Sequence, residues 1–384
     1  MIERTWLCAF FAMAGCTSTG SRPDADSDGD SDADGDSDAD SDGDSDTDGC
    51  GTDDAVVDTG NVDLLFVVDN SFGMGEEQSA LTTSFPILLD ALLHPPDYDG
   101  DGAQDGHGAT SLHVGVVTTD MGALGLSVTT CWDRGNDGVL QNLPSSQVEG
   151  CDPSYPRFLT FDAAAPDEGL ALDFECIASL GTGGCAFEQP LAAAAKAIGE
   201  HAAPGGTNDG FLRSDALLAL VFLTDEDDCS VADAAFFDAD GPPLALRCIR
   251  EPELLVPVQD LVDEVLAVKA GRPELLVAAA IAGVPTDLVA MTEADLACDD
   301  LVRPSAFDAI LDDPRMESRD DGSHPVPSCD DTGSGPQYPP RRLLTFLRGL
   351  DAAGGAALVQ SGCQADWTGV ARAVARVVQL RLGG

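Results

Sequence analysis

Basic side chains are scarce in this 384-residue chain: nineteen lysines and arginines stand against 68 acids, for a formal net charge of −49. Lys196 and Lys269 are its only lysines. A surface of that sign repels phosphate backbones and anionic lipid heads, which excludes nucleic acid as a partner and any electrostatic docking on a membrane. No apolar run reaches the roughly 18 residues of a membrane-spanning helix. The signatures of familiar catalysts are missing too: there is no HExxH, no phosphate-cradling GxxxxGK[ST] and no GxSxG turn. The five histidines, His94, His107, His113, His201 and His324, show no metal-like spacing, and His113, inside an apolar run, reads as a structural residue. The cysteines form no CxxC pair, which argues against zinc.

What is present begins with "MIERTWLCAFFAMAGC", an arginine followed by a short apolar segment and small residues leading to Cys16. This is the pattern of an export signal over residues 1–16. Its end, "AMAGC", resembles the lipobox of bacterial lipoproteins, which implies lipidation of Cys16 and a lipid as the chain's membrane contact. Residues 17–55 are rich in Asp, Ser and Gly, and from Asp24 to Asp48 every even position is aspartate. Such a segment buries nothing and repels itself, so it is expected to be a disordered stalk; its closely spaced carboxylates also suit weak calcium binding. The expected location is the cell envelope, outer-membrane-anchored or at the cell surface.

Ten cysteines lie beyond the signal: Cys50, Cys131, Cys151, Cys176, Cys185, Cys229, Cys248, Cys298, Cys329 and Cys363. An even, scattered set in an exported chain suggests disulfides, with buried free thiols as the alternative. The shortest loops would pair Cys131 with Cys151, Cys176 with Cys185 and Cys229 with Cys248, leaving Cys50, Cys298, Cys329 and Cys363 unassigned. A closed loop of about 20 residues contributes about 3 kcal/mol.

After Cys50 strand and helix signals alternate. "VDLLFVV" (62–68), "LHVGVVTTD" (112–120), "ALLALVFLTD" (216–225) and "ELLVAAAIAGV" (274–284) are continuous apolar runs, as parallel strands covered on both faces would be, and a short strand is expected near 357–360. Helical spacing occurs over 76–93, 187–201, 252–271, 340–351 and 366–380. The order predicts an α/β fold over 58–384, a doubly wound, mostly parallel, Rossmann-like sheet flanked by helices. Three stretches near 121–180, 227–250 and 286–338 interrupt it and hold seven of the ten cysteines; they read as disulfide-stapled loop insertions.

Ligands of such sheets bind beyond the carboxyl ends of the strands. The first strand ends at Asp69-Asn70-Ser71 and the third at Asp225, with the glycine-rich "GTGGCAFEQPL" and its Thr182 between them in sequence. Asp69, Ser71, Thr182 and Asp225 are hard oxygen ligands, suited to Mg²⁺ or Ca²⁺. Taken singly, each has another use: Asp69 and Ser71 as a strand-end turn and helix cap, Thr182 as a cap, and the "DEDD" run at 225–228 as a solvated loop. Asp227 and Asp228 are candidates for an adjacent calcium. "DYDGDGAQDG" (97–106) puts Asp97, Asp99, Asp101 and Asp105 at EF-hand-like positions, although Gly108 stands where that loop carries a glutamate; a polar turn is the alternative.

"FVVDNSFGM", then "GTGG", then "VFLTDEDDCS" resembles the von Willebrand factor A (VWA) domain, whose metal-ion-dependent adhesion site (MIDAS) follows the pattern Asp-x-Ser-x-Ser, a Thr and an Asp. The resemblance covers roughly 58–384 and assigns Asp69, Ser71, Thr182 and Asp225 to that site. Gly73 takes the place of the second serine, so the site is degenerate there. The implied function is binding rather than catalysis: a surface-tethered, adhesion-type module whose cation meets an acidic side chain of a protein ligand. The alternatives are a metal-free VWA scaffold that binds partners through its insertions, and an envelope hydrolase.

Overall fold

The apolar run at 62–68 becomes an inner strand of a six-stranded sheet. The computed structural model describes residues 56–384 except 99, 130, 132–133, 167–168, 239, 292–294, 297–303, 331–334 and 384. The expected signal, stalk and lipidation site at Cys16, with Cys50, Cys298 and Asp99, lie outside the described residues. In chain order the strands are β1 (Val57–Asp58), β2 (Asn61–Val68), β3 (Ser111–Thr118), β4 (Leu159–Asp162), β5 (Leu217–Leu223), β6 (Leu276–Ala282), β7 (Ala356–Ser361) and β8 (Leu382–Gly383). The described α-helices are α1 (Gly75–Leu93), α2 (Leu170–Ala178), α3 (Pro190–Ile198), α4 (Leu244–Arg250), α5 (Val258–Val268), α6 (Thr286–Val289), α7 (Pro304–Asp312), α8 (Arg341–Ala352) and α9 (Thr368–Gln379).

The large sheet runs β4-β3-β2-β5-β6-β7, parallel throughout except for the antiparallel edge strand β4, while β1 and β8 pair separately. The expected doubly wound α/β fold is what forms. Val62, Leu64, Phe66 and Val68 face a core shared with α1, α2 and α9; Leu65 and Val67 face the other, shared with α3, α5 and α8. Burial on both faces is why β2 lacks polar alternation. Phe85 of α1 stacks on Phe174 of α2 with centroids 3.8 Å apart, and both rings meet Phe66.

The stretches read as loop insertions carry elements of their own, among them α4, α6 and α7, and two elements shape the fold most. The 121–180 stretch carries β4, which extends the sheet, and α2, which packs into the core. Both are short and lie among turn residues, so neither shows a sustained period.

The disulfides also differ from the shortest-loop pairing. Cys229–Cys248 forms as expected, but Cys131 bonds Cys185 and Cys151 bonds Cys176, and a fourth bond joins Cys329 to Cys363. Cys176 is on α2, packed on one face of the sheet with Cys151 against the same core. Cys185 belongs to a separate cluster with Cys131, Cys229 and Phe187. Between 176 and 185 the chain leaves that face, so the nearer cysteine in sequence is not the nearer one in space.

Near the start of β2, buried Asp63 is clamped by Arg213, whose Nε and backbone N–H donate to its two oxygens at 2.7 Å, with Lys269 Nζ 3.8 Å away. His113 holds the Phe211 carbonyl through Nδ1 at 2.7 Å and packs at a tilt against Phe158, which fits the structural role expected for it.

Candidate metal centre

β3 and β5 follow β2 in the chain order of the parallel strands but lie on opposite sides of it, so the carboxyl end of β2 is a topological switch point. Asp69 is the first residue past β2. Its N–H donates to the Leu223 carbonyl at the end of β5, at 2.9 Å, which ties the two strand ends together. Its carboxylate is fully buried. Oδ1 accepts from the Ser71 N–H at 2.7 Å and from Thr119 Oγ1 at 3.4 Å, and Oδ2 accepts from Thr224 Oγ1 at 2.8 Å.

Gln78, on the first turns of α1, holds the Thr182 loop in place. Its Nε2 donates to the Asp69 carbonyl at 2.7 Å and to the Gly181 carbonyl at 2.9 Å, and its Oε1 accepts from the Gly181 N–H at 3.1 Å. The Gly184 N–H donates to the Asn70 carbonyl at 2.8 Å. A Cβ on Gly184 would fall 2.3 Å from Asn70 Oδ1, so only glycine permits this approach. Thr182 itself is exposed, its methyl 3.8 Å from where a Cβ on Gly75 would be.

Asp225 reaches the same edge from β5. A Cβ built on Gly73 would stand 3.5 Å from Asp225 Oδ2, so position 73 faces Asp225. Gly73 has φ +124°, a conformation that side-chain-bearing residues rarely adopt. The departure at Gly73 is thus tied to the backbone as well as to the missing hydroxyl.

Three further acids join Asp69 and Asp225, and the sequence reading had not assigned them. Glu77 lies in the first turn of α1 and is 2% exposed; Glu188 precedes α3 and is also 2% exposed; Glu226 follows Asp225. Burial raises the carboxyl pKa of all five, and repulsion by neighbouring acids adds to it for Glu77, Glu188, Asp225 and Glu226: Asp225 is pushed up to about 9 and Glu226 to about 7. No lysine or arginine is among the main influences on any of them. Asn70 Oδ1, Glu77 Oε2, Glu188 Oε2 and Asp225 Oδ1 are buried without a hydrogen-bond partner. Orphaned buried oxygens are rare because each costs about 1–3 kcal/mol. An all-oxygen set of like charges with missing partners fits a hard divalent cation.

Asp227 and Asp228, candidates for an adjacent calcium, are engaged elsewhere. Pro340 precedes α8 and Gln189 precedes α3, and neither side chain caps its helix. Asp227 does so for α8, accepting from the Arg342 N–H at 2.8 Å and the Leu343 N–H at 3.3 Å. Asp228 accepts from the Leu191 N–H of α3 at 3.1 Å and pairs with the Arg342 guanidinium at 3.0 Å. The "DEDD" run therefore divides, its first two acids turned to the centre and its last two to helix N-termini, where the dipole favours them.

At the 97–105 loop, Asp97 accepts from the Gly100 and Gly102 N–H groups at 2.7 and 2.9 Å, Asp101 from Ala103 at 2.7 Å and Asp105 from Tyr98 at 2.5 Å. These are turn-forming bonds. A separate group of potential ligands, Asp120 with Cys131 and Cys185, lies beside the centre, but both sulfurs are in the disulfide.

Fold and site together define a doubly wound α/β domain with an oxygen-only, carboxylate-rich centre at its switch point. Comparisons with known protein families and with curated proteins find no match to the chain. Among solved structures it is similar to the human COPII-coat protein Sec24c, at a TM-score of 0.33 and 12% identity over 85% of this chain. The match covers 32% of that protein's chain, so the present chain spans about a third of its length.

Proposed function

We propose that this protein is an exported, surface-tethered binding module that presents a divalent cation, Mg²⁺ or Ca²⁺, at the carboxyl edge of its sheet to an acidic side chain of a protein partner. The observation that carries the reading is the set of buried, unpartnered carboxylate oxygens of Asp225, Glu188 and Glu77 beside buried Asp69. Asp69 and Asp225 are the residues that would hold the ion, with Ser71 of the Asp69 loop and Thr182 beside Gly181 as the further oxygen donors. Once bound, the cation would supply a positive charge that can meet a partner's carboxylate. The chain's own residues do the rest: Gln78 fixes the two loops, and Thr224 and Thr119 orient Asp69. A carboxylate-rich set of oxygen ligands suits Ca²⁺ at least as well as Mg²⁺, which demands near-ideal octahedral geometry.

A protein partner is favoured by Phe72, which is 92% exposed in the middle of the Asp69–Gly73 loop. An aromatic ring presented beside a charged centre is the composition of an interface hot spot. The four described disulfides suit an oxidising compartment, and no described helix is long and apolar enough to cross a membrane.

A second reading, cation-independent binding through the insertions, is favoured by a cavity of about 260 Å³ lined by Glu226, Ile249, Arg319, Tyr338, Pro339 and Arg342. Isothermal titration of Mg²⁺ and Ca²⁺ into EDTA-stripped protein, with Asp69→Ala and Asp225→Ala as controls, separates the two. Binding by the wild type alone is expected; no heat at millimolar metal rejects the cation mechanism. Partner capture indifferent to EDTA would favour the second reading.

A further inference from the structure

The disulfide between Cys131 and Cys185 has an acid against it. Asp120, the second residue past β3, is 3% exposed, and its Oδ1 lies 2.7 Å from Cys185 Sγ. The Gly122 N–H fixes the carboxyl there, donating to Oδ1 at 2.9 Å. A carboxyl oxygen and a sulfur at that distance are placed to share a proton. A disulfide sulfur carries no hydrogen, so the proton has to come from the carboxyl. Burial of Asp120 favours its protonated form.

The two sulfurs are unequally placed. Cys131 is half-buried, whereas Cys185 is 3% exposed and packs with Ala123 and Phe187. A thiolate arriving from solvent therefore reaches Cys131, and Cys185, beside Asp120, is the sulfur that departs. Two other disulfides have no such neighbour: Cys151 Sγ lies 3.5 Å from the Val148 carbonyl and Cys363 Sγ 3.6 Å from Gln337 Oε1, neither of which can give a proton.

We infer that Cys131–Cys185 is a thiol–disulfide exchange site for a dithiol reductant, with Asp120 as the proton donor to the departing sulfur. The reductant's thiolate forms a bond to Cys131 Sγ as the Cys131–Cys185 bond breaks. The electron pair goes to Cys185 Sγ, which takes the Asp120 proton, and Asp120 is reprotonated from water. The reductant's second thiol, giving its proton to water, displaces Cys131, which leaves as a thiolate and is protonated by water. The reductant is oxidised to a disulfide and the protein gains two electrons and two protons. Protonating the departing sulfur makes it a better leaving group, which distinguishes this bond. Its opening has a consequence at the cation site, and that step rests on the proposed function. Gln78 holds the Thr182 loop at Gly181 and the disulfide holds it at Cys185, so reduction releases one of its two ends.

Graded dithiothreitol, followed by alkylation and mass spectrometry of each cysteine pair, tests the site in the full chain. Cys131–Cys185 is expected to open before the other three described disulfides. Asp120→Asn is expected to slow that bond by at least about tenfold and leave the others unchanged. A merely structural Asp120 would give the opposite sign, because a loosened loop exposes the bond and speeds its reduction. Another pair opening first overturns the inference, and this result needs no variant should Asp120→Asn fold poorly. Unchanged or faster reduction in a folded Asp120→Asn overturns the role of Asp120. Calorimetry of the selectively reduced protein is expected to show roughly tenfold weaker Ca²⁺ binding, restored on reoxidation. Equal affinity in both forms overturns the link to the centre. No Ca²⁺ binding in either form overturns the cation reading and leaves the exchange site standing.

Discussion

Replacing Asp225 with asparagine in the stripped protein is expected to stabilise it. The carboxyl of Asp225 is pushed from 3.8 to about 9, first by burial and then by Asp69, so the folded chain retains a proton that the unfolded chain releases. That contribution to stability is fully present below about pH 4 and is lost progressively as pH rises toward 9. At pH 7 the loss extends over roughly three pH units at about 1.4 kcal/mol each, on the order of 4 kcal/mol. Relaxation of the loops offsets part of this, so Asp225→Asn should gain about 2–3 kcal/mol at pH 7, or roughly 3–6 °C in Tm for a domain of this size. Its amide can also donate to a neighbouring carboxylate. With cation the order reverses: wild type gains about 4.1 kcal/mol at a thousandfold excess over Kd, and the variant, lacking a ligand, gains little. Thermal melts of both proteins in excess chelator and in Ca²⁺, from pH 5 to 9, read the whole set. A variant less stable than wild type in chelator at pH 7, or one that keeps the full Ca²⁺ response, would refute the reasoning.

Three further substitutions probe the frame around the centre. Gly73→Ser restores the missing hydroxyl near Asp225 but forces a side chain onto φ +124°; calorimetry should show tighter cation binding, by roughly tenfold, while melts show a loss of about 1–3 kcal/mol. Removing the Cys131–Cys185 bond with paired serines opens a 54-residue loop, with an expected loss of about 4 kcal/mol in urea denaturation. Because Cys185 anchors the Thr182 loop, cation affinity should fall as well. Asp63→Asn breaks the clamp with Arg213 and Lys269 near the start of β2; denaturation should reveal a loss of about 3–5 kcal/mol with cation affinity unchanged.

How much of the centre was legible varies by residue. Asp69 and Asp225 stand out because each ends a continuous apolar run, and a strand's end is a local signal. Glu77 carries no such mark. An acid in the first turn of α1 looks like a partner of the helix dipole, and only the packing of Gln337 and the Asp69 loop makes it a buried carboxylate. Glu188 sits in "CAFEQPL", two residues before the proline that starts α3, and reads as a residue near a helix cap. Asp227 and Asp228 mislead in the opposite direction: within an acidic run they resemble their neighbours, yet two distant helices without caps of their own engage them.

By itself the sequence determined the alternation of strands and helices, the order of the parallel strands' signals, the charge of the surface and the two aspartates at the strand ends. Those properties are local, set by the period of apolar residues and by which residue follows the last buried one. Only the tertiary structure decided which cysteines meet, that the 121–180 stretch completes the sheet, and that Glu77, Glu188 and Glu226 join Asp69 and Asp225. A carboxylate becomes a metal ligand candidate by losing water to neighbours more than a hundred residues away in the chain, and no spacing within its own segment records that loss.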